Sequence, residues 1–389
     1  MKNIVTRYSN PPLTSSAIGP ALSHDYMFRR LGQRHNEKSF LFASASDGIR
    51  ALLSSLGTGG SVICSAYTCE KVIGAILASG NSIDLVDIDL CTASFKRENL
   101  VRAIAKKPLA IINTNLFRLD YDYNWILDLA INHNIPVIED SALVNSPPKD
   151  HDDRYWARVA SFGRGKPITL GGGGIVHCKM SAADSIQREC RRLATSKTIT
   201  SDQLRRSLFL MRRSVQTLSW LTSLVSPEES RIPPASFNYE KKILSEDAAA
   251  FILKRAALID FARARENCAN AVATYSQIFE NTDILTGRKL KHFISTNTIT
   301  PAIPILVRSR DRVRRQIRRI GIDCPKYWTY SIANILNVPG CPNAQAISKE
   351  ILFLPVHSPI CDSKASQVAT IIKGNEPKFF CSFPEKIKA

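Results

Sequence analysis

Lys166 lies in the run Ser161-Phe162-Gly163-Arg164-Gly165-Lys166-Pro167, which leads toward four consecutive glycines, Gly171 to Gly174. Upstream by 26 positions, the apolar stretch Ile135-Pro136-Val137-Ile138-Glu139 ends on Asp140. A lysine amine, once deprotonated, condenses with an aldehyde. An aspartate at a strand end can hold a pyridine nitrogen protonated, so that the ring accepts electrons from a carbanion. Ser44, Ala45 and Ser46 precede a segment with helical spacing. The first amides of a helix lack partners and its dipole favours an anion, so this is a seat for phosphate.

An amine for an aldehyde, a carboxylate for a pyridinium, and amides with hydroxyls for a phosphate are what a protein contributes to pyridoxal 5'-phosphate (PLP) chemistry. Taken singly, each feature has an ordinary explanation. A lysine beside glycines makes a surface turn, an aspartate after a strand caps a helix or meets solvent, and Ser-Ala-Ser is an N-cap. Their order and spacing single them out.

These residues need a scaffold, and the sequence supplies one of regular period. The spacing predicts helices over 47–56, 68–79, 97–105 and 124–132, and buried-type strands over 61–64, 83–87, 109–113 and 136–139. Strands separated by helices imply right-handed crossovers and a mostly parallel sheet. Ligands of such sheets collect beyond the carboxyl ends of the strands, where Asp140 would project. After the glycines, Ile175 to Cys178 reads as a strand. Residues 181–225 carry arginines at helical spacing and read as a helical insert, and a long helix is expected from Ser245 to Phe279. The rest, with a strand over 300–307 and helices over 310–320 and after Asp362, reads as a smaller α+β lobe. The expected division is an N-terminal arm over 1–38, a large α/β domain over 39–235, and the long helix with a small α+β domain over 236–389.

The chain has 389 residues, 44% hydrophobic and 22% charged, which describes a globular protein. Its net charge of +18 attracts nucleotides, sugar phosphates, nucleic acid or anionic surfaces alike and names no partner. The arginines are not interleaved with aromatics, which argues against a nucleic-acid face. Ten widely spaced cysteines form no disulfide scaffold and no zinc cluster. No signal peptide or membrane-spanning run is apparent, and the expected location is the cytoplasm.

The chain resembles the DegT/DnrJ/StrS-type sugar aminotransferases, fold type I PLP enzymes. The resemblance is carried by Ser44 to Gly57, Ala66-Tyr67-Thr68-Cys69, Val86 to Asp89, Pro136 to Ala142 and Ser161 to Pro167. Pro342-Asn343-Ala344 and Phe353 to His357 resemble the family's closing signature. The resemblance implies an α/β fold of the PLP-dependent transferase type I, with a mostly parallel central sheet, flanking helices and a smaller C-terminal α+β domain. It implies that Lys166 bonds the cofactor aldehyde, Asp140 binds the pyridine nitrogen, and Ser161, Ala45 and Ser46 bind the phosphate. Tyr67 and Cys69 fall where relatives place cofactor contacts. Asn238 is the candidate for the asparagine that relatives lend to the neighbouring subunit, so a homodimer with shared sites is expected. Leucine at 143 stands where many relatives have a glutamine that contacts the cofactor's phenolic oxygen.

The activity so implied is transfer of an amino group from an amino acid such as glutamate to a keto sugar, a nucleotide-linked 4-keto-6-deoxy sugar in the leading reading. A second reading keeps the cofactor and changes the acceptor to a non-nucleotide ketone or aldehyde of natural-product biosynthesis. A third is a non-enzymatic PLP-binding regulatory protein. His357 reads as an anchor of the small lobe or a catalytic group, and Asp150-His151-Asp152-Asp153 as a solvated loop or metal site. Tyr327, Trp328 and Tyr330 read as a sugar pocket or a core patch.

Overall fold

The computed structural model describes residues 24–90, 92–116, 123–145, 152–192, 197–216, 237, 239–279, 298–307, 309–322, 324, 328–356, 362–375 and 377–378. Tyr327, Asn238, His357, Asp150 and His151 lie outside the described residues, as do 1–23 of the expected arm.

A seven-stranded sheet forms the centre, in the order β1 (Glu37–Phe42), β7 (Gly174–Lys179), β6 (Ala157–Ser161), β5 (Val137–Asp140), β4 (Ala110–Thr114), β2 (Ser61–Ser65) and β3 (Ser82–Val86). The strands from β3 across to β6 pair in parallel, and β7 runs antiparallel to both of its neighbours. β4 and β5 are buried at every position, which is why they read as continuous apolar runs and not as alternating ones.

Helices α2 (Ala45–Leu56), α3 (Glu70–Ala78), α4 (Arg97–Ile104) and α5 (Asn124–Asn132) make the crossovers. On one side, α2 and α3 cover Val62, Ile112, Ile138 and Val176. On the other, Leu100, Ile104, Ile126 and Leu127 of α4 and α5 pack on Ile63, Ile111 and Val137. Because β2, β4 and β5 end together at Ser65, Thr114 and Asp140, polar groups gather along one edge of the sheet.

The segment expected as an arm contains α1 (His24–Arg30), and Met27 and Leu31 beside it are buried with Ile252, Ala256 and Ile259. The arginine-rich segment forms α6 (Met180–Arg192) and α7 (Ser201–Gln216), with the short strand β8 (Lys197–Ile199) between them pairing in parallel with β9 (Lys242–Leu244). In place of one long helix stand two, α8 (Glu246–Ala257) and α9 (Phe261–Phe279). The break has a physical cause. Ile259 is buried in the core beneath α1, and Asp260 begins the second helix by accepting from the Arg263 N–H at 3.0 Å.

The small lobe is a three-stranded antiparallel sheet, β11 (Ile351–Pro355), β10 (Ala302–Val307) and β12 (Pro377–Lys378), flanked by α10 (Arg310–Arg319), α11 (Ile332–Ile335), α12 (Pro342–Glu350) and α13 (Asp362–Lys373). Its core runs without interruption into Ala66, Tyr67, Ile88 and Leu143 of the large sheet's edge. Asp87 joins the two parts further, accepting the Asn343 and Ala344 backbone N–H groups at 3.1 and 2.9 Å. Among the described residues no helix is long and apolar enough to cross a membrane.

Candidate active site

At the carboxyl edge of the sheet lies a cleft with about 630 Å³ of empty space, part of it open to solvent. Ser44, Ala45, Ser46, Cys69, Asp140, Ser161 and Lys166 all line it, so sequence positions spread over more than a hundred residues converge on one volume.

One wall is the start of α2. Ser44 has extended backbone and caps the helix, its Oγ accepting from the Asp47 N–H at 3.2 Å. Ser161 ends β6 directly opposite Gly174, and Gly174 is also the partner of Phe42 at the end of β1. A Cβ on Gly174 would sit 2.4 Å from Ala45 N, so only glycine lets β7 approach the first amide of α2 this closely. The glycine run is thus a packed one. Gly173 has φ +91° and lies against Ile252 of α8.

Lys166 sits on the loop between β6 and β7. The loop closes on itself through Leu170 N–H to Phe162 O at 3.0 Å, and Phe162, Ile168 and Leu170 bury beneath it. Thr169 Oγ1 donates to the carbonyls of Gly163 and Lys166, both at 3.3 Å, which fixes the turn that carries the amine.

Asp140 ends β5 and is only 3% exposed. Burial raises its carboxyl pKa above the usual value. The Lys166 ammonium and hydrogen bonds from the Ala142 N–H at 3.1 Å and from Thr114 oppose that rise. Thr114 ends the neighbouring strand and its hydroxyl meets that of Thr68 at 3.2 Å. A cationic partner in the cleft would favour the charged form that burial disfavours.

Cys69 precedes α3, and its thiol donates to Glu70 Oε2 at 3.4 Å. Burial pushes its pKa up to about 11, the Glu70 charge adds to the rise, and Lys166 opposes it. At neutral pH it is a thiol, not a nucleophile. Tyr67 does not line the cleft. It is fully buried, and its ring meets Trp328 edge-on at 5.5 Å and 83°, placing it behind the cleft wall.

Thr114, Ile49, Lys71, Val72 and Ala142 also line the cleft, without having been singled out in the sequence. Thr114 carried a usable signal, a polar residue at the carboxyl end of a buried strand. Leu143 lines the cleft as an apolar contact. Of the aromatic trio, Trp328 reaches the cleft, whereas the Tyr330 hydroxyl donates to Glu70. Asp152 holds Arg154 at 2.9 Å and Asp153 pairs with Arg34, and among the described residues no group of ligands could hold a metal ion.

This architecture is that of the fold type I PLP-dependent aminotransferases. DesV of S. venezuelae superposes with a TM-score of 0.64 at 14% identity, over 90% of this chain and 87% of that one. Helicobacter pylori PseC, an aminotransferase involved in the biosynthesis of pseudoaminic acid, gives 0.62 at 15% identity over 90% and 89%. At these identities the likeness is one of fold. Residues 31–373 match the family model of the DegT/DnrJ/EryC1/StrS aminotransferases, and the chain belongs to that family, whose aminotransferases depend on PLP in general. A pleiotropic regulatory protein of Geobacillus stearothermophilus is 33% identical over 101 residues, 25% of this chain. That match spans only 27% of the relative's length.

Proposed function

We propose that this chain uses PLP to transfer an amino group from an amino acid such as glutamate to a keto sugar, in the first instance a nucleotide-linked 4-keto-6-deoxy sugar. The observation that carries the reading is the convergence of Lys166, Asp140 and the Ser44–Ser46 turn on one cleft.

The residues present fit the cofactor. Asp140, buried and turned to the cleft, suits a protonated pyridine nitrogen; the seat closed by Gly174 against Ala45 suits a phosphate; Lys166 suits the aldehyde. When bound, the cofactor supplies an electron sink and carries the amino group between the two substrates.

The chain's own residues do the rest. Lys166 would hold the aldehyde end of the cofactor, and its amine, once free, would take the proton from the donor α-carbon. In the second half-reaction it returns a proton to the carbon that receives nitrogen. Asp140 Oδ holds the ring nitrogen's proton, and burial keeps water from weakening that contact. Ser46, Ser161 and the first amides of α2 would hold the phosphate. Trp328, Val72, Ile49 and Leu143 leave an apolar wall for the acceptor. Likeness to the family also supports a homodimer with shared sites, in which Asn238 would serve the neighbouring subunit.

Leu143 favours one variation within this reading, an acceptor that is a non-nucleotide ketone or aldehyde. The curated relative named as a regulatory protein motivates a non-catalytic alternative. PLP-loaded protein mixed with glutamate separates these. Loss of the cofactor's absorbance band supports catalysis, and a panel of nucleotide keto sugars and free ketones then assigns the acceptor. A protein that binds PLP yet leaves the band unchanged with every donor supports the regulatory alternative.

A further inference from the structure

The seat before α2 contains a carboxylate, an unusual companion for an anion. Asp47 is 1% exposed and lies in the first turn of the helix. As a carboxylate it only accepts hydrogen bonds. Ser44 Oγ donates to its Oδ2 at 2.6 Å. That uses the one Ser44 proton, so in the 2.8 Å contact between Ser44 Oγ and Ser46 Oγ the donor is Ser46. Both hydroxyls line the cleft, yet both protons are engaged within the turn, that of Ser46 on Ser44 Oγ and that of Ser44 on Asp47. The other oxygen, Oδ1, is met from a distant part of the chain, by the Tyr239 hydroxyl and by the Lys242 N–H at 3.3 Å. Those donors stand immediately before and at the start of β9.

We propose that Asp47 and Tyr239 together set how tightly the seat holds a phosphate, by competing with it for the Ser44 and Ser46 protons. This rests on the reading of the seat as the PLP phosphate site. A phosphate must win the Ser46 proton from Ser44 Oγ and tolerate a buried like charge nearby. Each donor that Tyr239 and Lys242 supply to Oδ1 lessens the pull of Asp47 on the serines. Tyr239 is a positioning residue, since it touches Asp47 and not the ligand.

The test compares equilibrium uptake of PLP with uptake of pyridoxal, the same aldehyde without its phosphate, by absorbance on the full chain. Tyr239→Phe is expected to reduce the preference for PLP about tenfold, the size of a lost hydrogen bond to a charged group, while pyridoxal uptake stays unchanged. Adding Asp47→Asn to Tyr239→Phe is expected to restore the preference, because the competitor is gone. An unchanged preference in Tyr239→Phe overturns the inference, and so does an equal loss of both aldehydes, which would mean simple structural damage. Where the double variant does not fold, the single variant decides. A wild-type protein that takes up neither aldehyde overturns the cofactor reading itself.

Discussion

Gly174 stands against Ala45 so closely that a single added carbon would lie 2.4 Å from the Ala45 nitrogen. This contact brings the start of β7 against the start of α2 and, through the pairing of Gly174 with Ser161, sets the end of β6 relative to the Ser44–Ser46 turn. Gly174→Ala must push the two segments apart. The expected cost is about 1–3 kcal/mol in stability, as for other overpacked sites. Thermal unfolding checks that cost. A PLP titration should show weakened uptake with Lys166 intact.

Burial raises the Asp140 pKa in the folded protein above its unfolded value. A group of this kind stabilises the fold below its unfolded pKa and loses that contribution as pH rises through the folded pKa. In the cofactor-free protein at pH 7 that contribution is diminished, so Asp140 costs stability relative to a neutral side chain of its shape. Asp140→Asn without cofactor should melt higher than wild type at pH 7, with the difference shrinking toward pH 4. The same variant should lose transamination by at least a hundredfold, as a removed electrostatic catalyst does. Melting curves across pH and donor half-reaction rates measure the two effects separately.

Tyr67 offers a test of the opposite kind. Its hydroxyl is buried and has no hydrogen-bond partner among the described residues, and burial drives its pKa upward. Tyr67→Phe removes an unsatisfied polar group and keeps the edge-on contact with Trp328. Stability should rise by about 1 kcal/mol and PLP affinity should not change. Chemical denaturation and a PLP titration check both points.

Away from the cleft, Arg158 of β6 and Glu37 of β1 form a buried pair at 2.6 Å, and Arg158 also donates to Gly32 O at 3.0 Å. The pair spans β7, which lies between the two strands, and ties the chain after α1 to the sheet. Arg158→Met leaves Glu37 buried without its main partner and should cost about 3–5 kcal/mol. Changing Glu37→Gln in the same chain should recover part of that loss in a denaturation experiment.

The parallel half of the sheet was legible because β2, β4 and β5 are continuous apolar runs between helices of clear period. Lys166, Asp140, Ser161, Ala45, Ser46 and Cys69 were legible as cleft residues because each occupies an element end with its own chemistry. The antiparallel direction of β7 was not legible, since side-chain alternation is the same whichever way a strand runs. β6 was missed because Arg158 interrupts its apolar run, and its partner Glu37 lies 121 positions away. The break at Ile259 was hidden by alanine-rich flanks that keep helical spacing on both sides. Trp328 and Tyr67 could not be assigned from type alone, for an aromatic ring serves a core or a pocket equally well, and only the tertiary packing separates them.

The central claim is that Lys166 carries the cofactor. Purified protein loaded with PLP, reduced with borohydride, digested and analysed by mass spectrometry tests it most directly. The reduced pyridoxyl group is expected on the peptide that contains Lys166, and Lys166→Ala should abolish it together with turnover. Modification confined to another lysine, such as Lys71 at the same cleft, or turnover retained in Lys166→Ala, would contradict the account.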